Sequence, residues 1–389
     1  MWIAGLLLSL VARLIALEPT AEEAGALRTA QQGDVLVMPA LAARHRELLR
    51  VPVQIASADG PQLLLSDKPE YFLTGDGISL REKVNPGLVR LYIYHVPVPS
   101  GRAETISAVL ENLGQNPLTL DFLRRAFPRP GKDYNRIGKS GLLEFFAFPP
   151  PERARQVPAG GRIVIDEEMD STRVSTDELV HGFYEFEIDQ PAQVTVFERD
   201  PQQISTNVID TLPKLPLQLP GKPIGNGAGR GLFVTSDFTV TNSPGFVLDT
   251  TNGAMQLVLA DGRRDPWIRG HDSLDGIETH DSGNYGVLYR IRLTRASSDG
   301  RGLALLLGKF GSPGRYCGRL AAAMQVSAGV WPAGTVALPA KQNAFGEPGE
   351  MALAQRFAPL AKGRTEVIEL IYSPPGASCI PTPLLFVPY

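Results

Sequence analysis

Glycine and proline punctuate this chain from end to end. There are 39 glycines and 33 prolines among 389 residues, spread along the sequence rather than gathered in one tract. Breakers at that density leave little room for long helices and favour short strands joined by turns. Between them the apolar residues recur with a period of two. Segments 51–55, 62–65, 88–96, 105–111, 118–120, 161–165, 182–188 and 193–197 read as strands. In 88–96, Val89, Leu91, Ile93 and His95 share one face, and Arg90, Tyr92, Tyr94 and Val96 share the other. Tyr184, Phe186 and Ile188 alternate with Glu185, Glu187 and Asp189, the pattern of a half-buried antiparallel strand. One short helix is expected near 134–148, where Ile137, Leu142, Phe145 and Phe146 cluster.

A second block repeats the style without repeating the sequence, with strands expected at 231–234, 238–240, 255–259, 285–293, 303–309, 336–338, 367–372 and 384–387. Between the blocks, 201–229 holds Pro201, Pro213, Pro216, Pro220 and Pro223 and ends in Gly225-Asn226-Gly227-Ala228-Gly229, a linker composition. The expectation is an all-β protein of two antiparallel β-sandwich, Ig-like domains in tandem, with a short N-terminal helical leader. Its divisions are 1–26, 27–49 as a leader or strap, 50–200 as the first sandwich, 201–229 as linker, and 230–389 as the second.

Residues 2–12 are apolar apart from Ser9, a run that suits a secretory signal and is too short to span a bilayer as a helix. Residues 1–26 therefore read as a signal peptide or N-terminal anchor, with cleavage after Ala26 or an earlier alanine such as Ala16. A buried N-terminal helix of a cytosolic protein is the competing reading. The mature chain is expected to be extracellular or at the cell envelope, without a membrane span. A balance of 38 basic against 41 acidic residues argues against nucleic-acid binding. Cys317 and Cys379, the two cysteines, both fall in the second block. In an exported chain they are expected to form a disulfide, worth about 4 kcal/mol on the loop-entropy model.

Three phrases resemble a group of uncharacterised exported two-domain β proteins of Gram-positive bacteria, some labelled copper-amine-oxidase N-terminal-like. They are Val89-Arg90-Leu91-Tyr92-Ile93-Tyr94-His95, Asp133-Tyr134-Asn135-Arg136-Ile137-Gly138-Lys139 and Gly283-Asn284-Tyr285-Gly286-Val287-Leu288-Tyr289. Ser373-Pro374-Pro375-Gly376-Ala377-Ser378 is similar to a fourth. The resemblance implies export and β architecture; it implies no activity, and the amine-oxidase label is not carried over.

Catalytic signatures are sparse. Gly138-Lys139-Ser140 lacks the earlier glycine of a phosphate loop, since Asp133 stands in its place. No Gly-x-Ser-x-Gly occurs, and His95 and His181 fall in strands, where a lone histidine is usually structural. The densest polar segment is 261–281. His271, Asp272, Asp275, Glu278 and His280 form a candidate set for calcium or another divalent metal, although the spacing lacks the D-x-D-x-D-G pattern. A solvated inter-strand loop is the plainer reading. Trp267 could stack on sugar rings or pack at the loop base. Arg124, Arg125, Arg129 and Arg136 form a candidate basic surface for anionic wall polymer or glycan. Alternatively they pair with the acids of 166–189. The favoured function is a non-catalytic exported protein for adhesion, matrix or wall association. The alternatives are an extracellular glycan hydrolase using carboxylates of the second domain, and a metal-dependent surface module.

Overall fold

The computed structural model describes residues 16–97, 101–147, 153–217, 227–309, 318–378 and 380–389. Among them the chain forms four β-sheets and five short α-helices: α1 (Ala21–Thr29), α2 (Pro39–Ala43), α3 (Tyr134–Phe146), α4 (Glu167–Ser171) and α5 (Ser205–Val208).

A nine-stranded sheet is central. Strands Arg155–Val157, Leu118–Ala126, Val180–Ile188, Gly87–Pro97 and Gln62–Ser66 follow one another across it. A four-stranded sheet of Arg162–Val164, Thr105–Asn112, Ala192–Arg199 and Gly77–Val84 faces it. Between them Leu80, Val89, Leu91, Ile93, Ile106, Leu110, Phe186, Val194 and Val196 form one core. On the opposite side Leu63, Leu65, Tyr92, Tyr94 and Phe183 enter a second core. Burial on both faces explains why 88–96 reads as almost continuously apolar.

The second core continues into the other two sheets. The six-stranded one holds Val35–Val37, Glu350–Phe357, Leu303–Gly308, Leu384–Pro388, Met255–Leu257 and Leu49–Arg50. The seven-stranded one holds Gly334–Leu338, Ala322–Val326, Thr365–Tyr372, Leu288–Ala296, Asp237–Asn242 and Val53–Ala58, with Leu248–Asp249 beside it. Alternation decides which side chains face where: Leu303, Leu305 and Leu307 join the second core, while Ala304 and Leu306 turn outward. That outward face is covered by Leu17, Leu27 and Leu41 from the N-terminal segment. α1 starts with a capping box between Thr20 and Glu23. Glu23 is buried because its Oε1 also accepts from the Ala40 (2.9 Å) and Leu41 (3.3 Å) amides.

The expected tandem of independent sandwiches is not what the sheets form. Arg230–Phe233 pairs with Gln62–Ser66, and the hairpin Arg269–Asp272/Ile277–His280 extends the same sheet. In return Val35–Val37, Leu49–Arg50 and Val53–Ala58 pair with strands of the C-terminal half. The sheets are mixed rather than antiparallel, since Gln62–Ser66 with Gly87–Pro97 and Asp237–Asn242 with Leu288–Ala296 run parallel. Residues 27–49 thus supply strands as well, and strands from before 201 and after 229 share sheets. The physical reason is that sheet edges leave N–H and C=O groups open, and segments remote in sequence can close them.

α3 lies near the position expected for it, capped by Asp133, whose Oδ1 accepts from the Arg136 amide. It wedges between the halves. Phe145 stacks on Phe183 at 3.7 Å between ring centres. Lys139, far from any phosphate loop, is buried in the helix and donates to the carbonyls of Pro339 (2.8 Å) and Gln342 (2.6 Å). Ala26, one of the expected cleavage positions, lies inside α1. Cys317 and Cys379 lie outside the described residues, as does the expected signal core at 2–12.

Candidate functional site

The structure does not gather the candidate metal set of 261–281. Strands Arg269–Asp272 and Ile277–His280 form a hairpin in which His271 stands opposite Glu278 and Arg269 opposite His280. His271, Glu278 and His280 are exposed, whereas Asp272 turns inward and is buried. There Asp272 and Asp275 are taken by the buried Arg230, at 2.8 Å and 2.7 Å. His271 lines a groove of about 420 Å³ beside Arg81 and Lys83, and two cations are poor company for a metal. Asp261 accepts from the amides of Arg263, Arg264 and Asp265, and Asp265 accepts from the Tyr289 hydroxyl at 2.6 Å. The segment is therefore mainly a polar connection tied down by its own acids. Trp267 is 39% exposed, and its indole N–H donates to the Ala260 carbonyl.

Two of the four candidate basic residues are already committed. Arg125 pairs with Asp166 at 2.7 Å and approaches Glu168, while Arg124 approaches Glu185 and lies over the Phe145 ring. Arg129 is exposed, and its carbonyl accepts from Arg136. The continuous basic surface is thus replaced, at Arg124 and Arg125, by pairing with the acids of 166–185.

The two strand histidines sit in the interior. His95 Nε2 meets Ser66 Oγ at 2.7 Å and its Nδ1 meets the Pro69 carbonyl at 2.9 Å. The pair has the spacing of a nucleophile and its base, but Ser66 and His95 are both completely buried, so no substrate reaches them. Burial pushes the His95 imidazole down to about 3, and that of His181 to about 4.

A different group of acids does converge. Asp76 lies in the turn before strand Gly77–Val84, Glu104 just ahead of Thr105–Asn112, and Glu198 near the end of Ala192–Arg199. The antiparallel register puts Glu198 opposite Gly77 on one side and Ile106 on the other, so the three strands deliver their acids to one end of the sheet. Oxygens of Asp76, Glu104 and Glu198 lie within 4.8 Å of one another. Arg102 lies across them. It donates to Asp76 (2.5 Å), Glu104 (2.9 Å) and Asp200 (3.1 Å), and its side chain is 44% exposed. Beneath it Glu104 and Glu198 are each 1% exposed, and one oxygen of each has no hydrogen-bond partner among the described residues. Burial, reinforced by Glu104 and Asp76, pushes the Glu198 carboxyl up to about 9. An all-oxygen donor set of this kind could hold a hard divalent cation.

Reading by spacing missed these three because they are 28 and 94 residues apart. A weaker signal was present. Glu198 continues the parity of Val194 and Val196, and Glu104 that of Ile106 and Ala108, so each acid extends an apolar strand face.

No family model matches the chain, and no curated protein matches it. Similar solved structures include an oxalate decarboxylase, at 11% identity and a TM-score of 0.11 over 85% of this chain and 77% of the other. A deletion mutant of Bacillus subtilis oxalate decarboxylase is similar at 12% identity and a TM-score of 0.10, over 85% and 76%. Likenesses at this level carry no argument about fold or function.

Proposed function

We propose that the chain is an exported, non-catalytic binding protein of the cell envelope or extracellular space. In this reading a divalent cation held by Asp76, Glu104 and Glu198 mediates its contact with an anionic wall polymer or glycan. The observation that carries it is the pair of oxygens on Glu104 and Glu198 that have no partner among the described residues, buried beneath an arginine that is itself half in solvent. Buried carboxylate oxygens without a partner are costly, and a cation relieves that cost. Displacing Arg102 opens the site on its solvent side, where a cation can keep ligand positions for a polymer's acidic groups. Calcium fits the donor chemistry best.

Export rests on the apolar start of the sequence and on the resemblance described above. Cleavage after Ala16 leaves the buried Leu17 and all of α1 in the mature protein, whereas cleavage after Ala26 would cut the helix. The Cys317–Cys379 bond belongs to the same reading. A glycan hydrolase draws no support from the second half, where Asp265, Asp272 and Asp275 are engaged by Tyr289 and Arg230.

Calorimetric titration of chelator-stripped protein with calcium, together with retention on purified anionic wall polymer, tests the proposal. The wild type should bind calcium and release the polymer in EDTA, and a Glu104→Gln/Glu198→Gln variant should lose both properties. Polymer retention that is unchanged by EDTA and by the double substitution would overturn it.

A further inference from the structure

The groove beside His271 lies where the four-stranded sheet meets the hairpin Arg269–Asp272/Ile277–His280. Strand Gly77–Val84 is an edge of its sheet and pairs there with Ala192–Arg199. The hairpin turn is pinned to this strand where the Glu82 carboxylate accepts from the Ser273 amide at 2.7 Å and from the Ser273 hydroxyl. Both residues border the groove, whose volume of about 420 Å³ is that of a small-ligand site. Arg81, Lys83 and Gln193 line it from the four-stranded sheet, where Lys83 stands opposite Gln193. Leu232, His271 and Leu274 line it from the nine-stranded sheet and its hairpin, where Leu232 stands opposite His271.

Charge in this groove is one-sided, because the acids around it already have partners. Glu82, the acid in the lining, is buried and held by Ser273. Asp272 and Asp275 are taken by Arg230, and Asp275 also by Lys214. Glu111 and Asp210, whose charges reach Arg81, are both paired with Arg162. Glu278 stands across the hairpin from His271. Arg81 makes no ion pair among the described residues. Its guanidinium donates to the Ile209 carbonyl at 2.6 Å and to the Thr195 hydroxyl at 3.4 Å, and its other N–H groups donate to no described residue. It is half-buried, and burial weighs against its charge. Lys83 and His271 are exposed. The side chains of Lys83, Gln193 and His271 have no hydrogen bond or ion pair among the described residues.

We propose that this groove binds the acidic group of a carboxylated or phosphorylated sugar directly, without a metal. An oxyanion supplies the counter-charge that Arg81 lacks, and the guanidinium fork suits its geometry. Lys83 adds a point charge at the rim. The Gln193 amide can both donate to and accept from a ring hydroxyl. Leu232 and Leu274 offer apolar contact to the C–H face of a sugar ring. The choice of ligand rests on the anionic polymer proposed above, whereas the site itself needs no cation. Asp76, Glu104 and Glu198 gather at the Gly77 end of the strand, and the groove lies at its Lys83 end.

Calorimetric titration of the full chain in excess EDTA, at low salt, tests this site without the cation. The probes are trigalacturonate for the carboxylate source and mannose phosphate for the phosphate source, with neutral galactotriose and the peptide triaspartate as controls. At least one acidic sugar should bind, the tighter one naming the oxyanion, and galactotriose should not. Raising the salt should weaken the binding. Lys83→Glu should weaken it at least about tenfold, because it sets a like charge against the ligand, and Arg81→Gln should abolish it. Lys83 is exposed, so its variant remains informative if the Arg81 variant does not fold. No binding of either acidic sugar, binding indifferent to Lys83→Glu, or tighter binding of triaspartate would overturn the proposal. Failure here with calcium-dependent polymer retention intact would remove the groove and leave the cation site standing.

Discussion

Lowering the pH from 7 to 5 should destabilise this protein through two buried histidines, and the size of that effect follows from their surroundings. His95 and His181 are 0% and 1% exposed, and burial holds them at about 3 and about 4, far below the ordinary imidazole value of about 6.5. Arg230 adds a small repulsion at His95. Both accept their roles as neutral rings: His95 bridges Ser66 and the Pro69 carbonyl, and His181 meets the Ile93 carbonyl. The folded values lie below the unfolded ones, so the unfolded chain takes up protons first as the pH falls. Their contribution is complete above about pH 6.5 and is lost on acidification towards the folded values. At about 1.36 kcal/mol per pH unit, each ring loses about 2 kcal/mol between pH 6.5 and 5. Buried acids such as Glu198 act in the opposite sense, so the comparison must be made against a variant that keeps them. Urea unfolding of the wild type and of His95→Gln/His181→Gln at pH 7, 6 and 5 isolates the histidine share. The variant starts lower at pH 7 through lost packing, yet its stability should fall less by about 4 kcal/mol on going to pH 5. Parallel pH profiles for the two proteins would refute the assignment of both rings as buried and neutral.

Arg230→Met should cost about 3–5 kcal/mol in urea unfolding, because it leaves the Asp272 carboxylate buried without its cation. Hydrogen exchange should then rise first in the hairpin Arg269–Asp272/Ile277–His280, and exchange confined to other strands would contradict the pairing. A protease site inserted within 218–226 should yield two fragments that co-elute in native gel filtration and separate in denaturant. The reason is that strands cross in both directions between the halves. Fragments that part without denaturant would support two independent domains instead.

The strand content and the position of α3 were legible because both are local. Alternation in 88–96 and the capped cluster Ile137, Leu142, Phe145 and Phe146 need only a few neighbouring residues. The linker composition of 201–229 is silent on strand partners for the same reason. Proline and glycine report how a segment bends, not which edge the next strand will join. The sequence left open whether Arg124 and Arg125 form a basic surface or pair with the acids of 166–189; the fold brings Asp166 and Glu185 to them and realises the second.

By itself the sequence determined a chain of short strands, an apolar start, and acids or histidines placed on apolar strand faces. These follow from side-chain parity and backbone conformation, which act over a handful of residues. Which of the polar groups are satisfied depends on how distant segments pack together. Arg230 neutralises Asp272 and Ser66 occupies His95, whereas Glu104, Glu198, Asp67, Asp281 and Tyr92 keep oxygens without a hydrogen-bond partner among the described residues. A buried charge is judged by what surrounds it in space, and here those surroundings come from segments as much as 203 residues apart, as Lys139 and Gln342 are.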